Sequence, residues 1–425
     1  MFNKIKNYFK QNKSFIKVTD ILIEENKVIY NFETSPDMDK YFIKKDMTLE
    51  FINKVDINLN SVPESILVIP LFVNLLPVAW FTDSSLIINK LDKTLFNSLD
   101  NIKNGFKEMY PLAYLNGEVK VNQLDENRYN HENRYLCLFT YGVDSLHALI
   151  NHMGENPILT TFWGADIAIE SPHCWVNVDK NISNFAKDHN LENIFIKSDF
   201  RRFMNTDLLM EEFGDVLYNN GNWWYTIQHG IALIGQNVIL AYLYKVETII
   251  IGGTFSYHIN ELFNLKVMRC ASSPNIDNKF KFANCNVVHY GYDSTRADKL
   301  KQIVSYSKEH NEKFNLHVCW HSSEGVNCNI CEKCARTILY LMSIGENPND
   351  YGFNVTEDSL NQIKIDFKKA VYDKEKIGGW SLRSTAFARW LPIQNNLKKD
   401  IEYWKYSPIG WLLDVDLYQL MEDYK

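Results

Sequence analysis

The chain runs to 425 residues, is 46% apolar and 23% charged, and carries a net charge of −7. That length is enough for more than one folding unit around a sizeable core, and the balance is that of a soluble globular protein. The acidic charge argues against a protein that wraps large nucleic acid, because such affinity comes mostly from phosphate neutralisation.

Taken in chain order, the basic stretch NKIKNYFKQNK (3–13) reads as a solvated helix face. No apolar signal-peptide core precedes it. FIKVTDILIEENKVIYNFETS (15–35) reads as two strands joined at EEN. The longest apolar run, SILVIPLFVNLLPVAWF (65–81), contains Pro70, Asn74 and Pro77. It falls short of a membrane span of about 20 residues and reads as two buried strands, or a strand and a turn. The expectation is therefore a cytoplasmic protein with no membrane segment. SLIINKLDKTLFNSLDNIKNGFKEMYP (85–111) reads as a strand and a helix, and the polar NQLDENRYNHENR (122–134) as a linker. Residues 1–130 are thus expected to form a β-rich α+β domain. No chemistry attaches to it, and it is a candidate surface for a protein partner.

From Tyr135 the pattern changes. YLCLFT (135–140), PILTTFWG (157–164), NIFIKS (193–198) and VETIIIGG (246–253) read as strands. Helical patterns separate them, the longest being WWYTIQHGIALIGQNVILAYLYK (223–245). Such alternation predicts a doubly wound parallel α/β sheet over residues 131–349, with ligands at the carboxyl ends of the strands. Residues 350–425 read as a helical region, most simply a cap over core, with Trp380, Trp390, Trp404 and Trp411.

The first of these strands runs into TYGVDS (140–145) and then a helix. A helix start exposes unpaired N–H groups, and the helix dipole favours an anion there. Gly142 permits close backbone approach, Thr140 and Ser145 add hydroxyls, and Asp144 can cap the helix or help hold Mg2+. Further along, CWHSSEGVNCNICEKCART places Cys319, Cys328, Cys331 and Cys334 in a C-x8-C-x2-C-x2-C pattern. Four thiolates so spaced can complete a tetrahedron around Zn2+; an iron–sulfur cluster is the rival. Lesser candidates follow the strands: Trp163, Gly164 and Asp166 after the second, and Gly252, Gly253 and His258 after the fourth. Arg269 and Arg336 could bind a carboxylate or phosphate, and Trp223, Trp224 and His229 open the long helix.

TYGVDS resembles the S-G-G-x-D-S signature of the PP-loop ATP pyrophosphatases (HUP/PP-loop type), with Thr140 for the serine and Tyr141 for the first glycine. With the cysteines some 175–190 residues downstream, residues 134–345 resemble the 7-cyano-7-deazaguanine synthase family. CASSPNID (270–277) stands where that family has a substrate-facing loop, and DSTRADKLKQI (293–303) resembles the segment beginning its next helix. The resemblance implies ATP-dependent adenylation of a carboxylate or amide with pyrophosphate release. Ammonia or an amine then attacks, giving an amide, nitrile or conjugate. It implies Thr140, Tyr141, Gly142, Val143, Asp144 and Ser145 as the pyrophosphate site, with Asp144 and Ser145 in catalytic roles. It adds Trp163 and Gly252 as nucleotide neighbours, and Cys319, Cys328, Cys331 and Cys334 (the knuckle, 319–334) as a structural Zn2+ site. ATP, Mg2+ and Zn2+ are the implied cofactors, and the acyl substrate is a small molecule or protein-borne. An oligomer is compatible with all of this. The alternatives are a tRNA-thiolation enzyme of the same superfamily and a non-catalytic zinc protein that binds a partner.

Overall fold

The computed structural model describes residues 14–53, 57–219, 221–267, 269–319, 321, 324–380 and 384–424. The basic stretch 3–13 lies outside them. Ten strands form one sheet: β1 (Phe15–Glu24), β2 (Lys27–Thr34), β3 (Asp46–Phe51), β4 (Ser85–Asp92), β5 (Glu118–Asp125), β6 (Arg134–Leu138), β7 (Ile158–Trp163), β8 (Asn193–Ser198), β9 (Val246–Gly252) and β10 (Asn286–Tyr290). Their spatial order is β10-β9-β6-β7-β8-β3-β2-β1-β4-β5.

The last five strands in sequence are mutually parallel, with β6 in the middle. The two strands flanking β6 are reached by opposite crossovers, so the turn leaving β6 stands where the strand order reverses. The strands from residues 15–125 continue the same sheet. β3 pairs antiparallel with β8, Leu49 opposite Ser198, and the Thr48 N–H donates to Asp199 Oδ1 (2.7 Å). The segment read as a linker is part strand: β5 runs to Asp125 and pairs with β4.

Side chains of the parallel strands alternate between two cores, as the pleat requires. Leu136 and Leu138 enter one core, while Cys137 and Phe139 enter the other. The first core holds α1 (Ile69–Phe81), α2 (Lys93–Met109) and α5 (His229–Leu243). The second holds α3 (Val143–Ile150), α4 (Pro172–Asp188), α6 (Arg296–Glu309), α7 (Glu332–Ser343) and α8 (Glu357–Val371), together with the rest of the C-terminal region. Helices therefore cover both faces. The C-terminal region is helical and packs Phe367, Trp380, Trp390 and Trp411 into one aromatic cluster.

The apolar run 65–81, expected as strands, is mostly the helix α1, with every residue buried. A helix apolar all round belongs in the interior, and there periodicity cannot separate it from a buried strand. Its polar atoms are matched by α5 and the turn before it. Gln228 Nε2 donates to Asn74 Oδ1 (2.5 Å) and Gln236 Nε2 to the Pro70 carbonyl (3.1 Å). Gly235 lets the two helices meet, since a Cβ there would lie 2.4 Å from Val73 Cγ2. Gly235→Ala is therefore expected to lower unfolding stability by about 1–3 kcal/mol, and Val73→Ala in the same chain to recover part of that loss. Denaturant unfolding of the two single variants and the double variant measures the coupling.

Candidate functional site

β6 ends at Leu138, and residues 139–142 carry the chain into α3. Strand-like contacts persist to Phe139, whose N–H donates to the Thr160 carbonyl (2.8 Å). The turn then folds on itself. Ser145 Oγ donates to the Gly142 carbonyl (3.1 Å) and accepts from the Thr140 N–H (3.2 Å). Gly142 occupies the cap position and no side chain caps the helix, so the first-turn N–H groups are left for another acceptor. Asp144 was expected as a possible cap and is not one.

Tyr141 holds a left-handed backbone, φ +58°. That is the conformation glycine adopts most cheaply, at the position where the PP-loop signature has glycine. The strain is offset by the side chain. The ring turns into the second core against Phe139 (5.3 Å) and Phe185 (4.9 Å), and its hydroxyl accepts from the Asn315 N–H (3.0 Å). The Tyr141 carbonyl also receives the His317 N–H (2.9 Å). Burial pushes the phenol well above its usual pKa, so it stays neutral. Val143 is core as well.

Asp144 faces two cations from α6. Its Oδ2 pairs with Arg296 Nη1 (3.0 Å) and its Oδ1 with Lys299 Nζ (3.2 Å). Burial alone would raise this carboxyl, but Lys299 and then Arg296 outweigh it and hold it at about 2. Lys299 Nζ also donates to the Gly253 carbonyl, so one ammonium joins α3, α6 and the end of β9. Gly252 makes this approach feasible: a Cβ there would lie 2.5 Å from the Asp144 carbonyl oxygen. Both oxygens of Asp144 are engaged by cations of α6.

The four cysteines are positioned to bind a metal. Their sulfurs all lie within 4.8 Å of one another, with Cys319–Cys331 and Cys328–Cys334 at 3.9 Å. Zinc–sulfur bonds of about 2.3 Å in a tetrahedron put sulfurs about 3.8 Å apart, so the set fits zinc. Hydrogen bonds from neighbouring thiols draw Cys319 below the usual thiol value; at Cys328 the Cys319 sulfur raises it while Cys331 and Cys334 together lower it, to about 6. The C-terminal region closes over this knuckle: the Glu332 N–H donates to the Gly379 carbonyl (3.1 Å) and Trp380 Nε1 to the Ile330 carbonyl (3.2 Å).

The knuckle and the turn share one electrostatic neighbourhood. α7 carries Glu332, Lys333 and Arg336, whose fields reach Arg296. Arg336 is 3% exposed. Arg389 of the C-terminal region acts on Lys299 and feels Arg336 and Arg296; burial pushes it down to about 10. Asp166 belongs to the same neighbourhood through its field on Lys333. Of these, the sequence reading named Asp144, Asp166 and Arg336. Arg296 and Lys299 left one legible mark, two cations three residues apart behind the capping box of Thr295 and Asp298. Nothing local marked Arg389.

The remaining candidates are placed as follows. Trp163 stacks on Trp175 (5.5 Å) and carries Lys197 over its ring (4.6 Å). Gly164, φ +118°, lets its strand end pass Ser198. His258 makes a surface contact with Glu261 (3.6 Å), and Arg269 lies over Tyr218. Trp223 is core, while Trp224 packs on His229 (4.8 Å) in a π-helical turn, Trp224–Gln228, that precedes α5. No described helix is long and apolar enough to cross a membrane.

Two outcomes are expected. Purified protein carries about one zinc per chain by elemental analysis, and Cys331→Ser lowers both zinc content and melting temperature. Asp144→Asn leaves two cations unpaired and lowers stability near neutral pH by about 3 kcal/mol. The ionised carboxylate contributes fully above its ordinary value of 3.8, and its share is lost as pH falls towards about 2. The stability gap between wild type and variant, read by urea unfolding, therefore closes over that window.

No protein-family model, curated protein or solved structure matches the chain, so the reading of this site rests on its own residues.

Proposed function

We propose that the protein is an ATP-dependent adenylating enzyme of the PP-loop pyrophosphatase type, similar to 7-cyano-7-deazaguanine synthase. It activates a carboxylate or amide and passes it to ammonia or an amine. The observation that carries this reading is the uncapped start of α3 at the switch point of the parallel strands, facing Arg296 and Lys299. Unpaired N–H groups, a helix dipole and fixed cations together suit a polyphosphate. The parallel order β8-β7-β6-β9-β10 with helices on both faces supports reading these strands as a doubly wound sheet.

In this reading the turn residues Thr140, Gly142, Val143 and Ser145 hold the β- and γ-phosphates. The substrate oxygen attacks the α-phosphorus, the bond to the bridging oxygen breaks, and pyrophosphate leaves with both electrons. Lys299 and Arg296 stabilise the charge gathering on that leaving group, while Asp144 orients them. The nitrogen nucleophile then adds to the acyl carbon and expels AMP. No protein nucleophile is needed; catalysis is positioning and charge stabilisation. Cys319, Cys328, Cys331 and Cys334 would hold zinc, which would act structurally by fixing the start of α7 and with it Glu332, Lys333 and Arg336.

Incubation with ATP and a panel of carboxylic acids is expected to release AMP and pyrophosphate in equal amounts, dependent on the acid. Lys299→Met and Ser145→Ala are expected to slow that release by about 100-fold or more. Formation of ADP and phosphate instead would overturn the assignment.

A further inference from the structure

The guanidinium groups beside the turn have more donors than the protein satisfies. Arg336 is 3% exposed, and its Nε and Nη1 have no hydrogen-bond partner. Its ion-pair partner on α7, Glu332 Oε1, stands 3.5 Å from Nη1 without hydrogen-bonding geometry, and the same oxygen accepts from Trp390 Nε1 (3.2 Å). Arg296 Nε is likewise buried and unpaired. Arg389 lies over the Phe255 ring (4.6 Å) and pairs with no carboxylate among the described residues. A buried donor left unmade costs about 1–3 kcal/mol, and more for a charged group. Arginine forks arranged this way fit an oxyanion that the protein itself does not provide. A zinc–tetrathiolate centre would carry negative charge nearby, yet neither Arg336 nor Arg389 bonds a cysteine.

Resting on the function proposed above, we infer that Arg336 and Arg389 form the second wall of the phosphate site. They clamp, from the side of α7 and the C-terminal region, the polyphosphate whose other side lies on the turn 140–145. The C-terminal region would then complete the site in addition to covering core. It delivers Arg389 from a segment whose tryptophans, Trp380 and Trp390, are anchored on the knuckle through Ile330 and Glu332. The site is assembled from four separate parts of the chain: the first parallel strand-turn-helix, α6, the knuckle helix and the C-terminal region.

Calorimetric titration of the full chain with inorganic pyrophosphate tests this, with wild type, Ser145→Ala, Arg389→Gln and Arg389→Lys side by side. Arg389→Gln is expected to weaken binding roughly ten-fold or more, the loss of one charge-assisted fork. Arg389→Lys keeps the charge and the stem packing and is expected to lose less. The melting temperature of Arg389→Gln without ligand, matched to wild type, excludes misfolding as the cause of its loss. Ser145→Ala weakened but Arg389→Gln unchanged would overturn the clamp and leave the turn's role standing. Arg389→Gln weakened but Ser145→Ala unchanged would keep the anion on the guanidinium pair and remove the turn, with it the proposed function. Wild type that binds no pyrophosphate would overturn both.

Discussion

One carboxylate with two cations holds the centre of this protein together. Asp144 sits at the start of α3, Arg296 and Lys299 on α6, and Lys299 reaches on to the carbonyl of Gly253 at the end of β9. Three elements leaving the same sheet edge meet at this one ionic cluster. The geometry depends on Gly252, because a side chain there would strike the backbone of Asp144. Partly buried ion pairs often add little net stability, so the value of this one lies in position: it points fixed positive charge at an uncapped helix start.

Tyr141 shows how a large side chain can occupy a left-handed turn position. Its backbone takes the conformation that glycine tolerates most cheaply. The side chain that glycine lacks is taken up by the core, stacked among Phe139 and Phe185 and bonded to Asn315. The ring therefore stays out of the turn. The same hydroxyl draws in the segment that leads through His317 to Cys319, so the turn and the cysteine cluster are mechanically linked.

The cysteine cluster and the C-terminal region act as one support. Cys331 stands immediately before α7, and Gly379 passes so close that a Cβ would lie 2.7 Å from Cys331 Cβ. Metal at the knuckle would lock the start of a helix whose next residues face the turn. The aromatic cluster of Phe367, Trp380, Trp390 and Trp411 then holds Arg389 in place from the far end of the sequence.

Much of this was legible in the residues alone. The alternation of apolar runs and helical patterns after Tyr135 has one simple solution, because parallel strands buried on both faces need helices between them. Four cysteines within sixteen residues have the spacing of a metal site, and the structure brings their sulfurs together. Where the sequence misled, interior burial was the reason: 65–81 is apolar on every side, so no period distinguished the helix it forms from strands. The polar run 122–134 hid a strand because an edge strand exposes most of its side chains. The sequence by itself determined the alternation of strands and helices after Tyr135, the turn and the cysteine cluster, all of which are local in the chain. Only the tertiary structure decided that the strands of residues 15–125 extend the same sheet, that Arg296 and Lys299 meet Asp144, and that Arg336 and Arg389 share their charged neighbourhood. Charges that far apart in sequence converge through packing, and nothing in their own neighbourhoods records where the packing will put them.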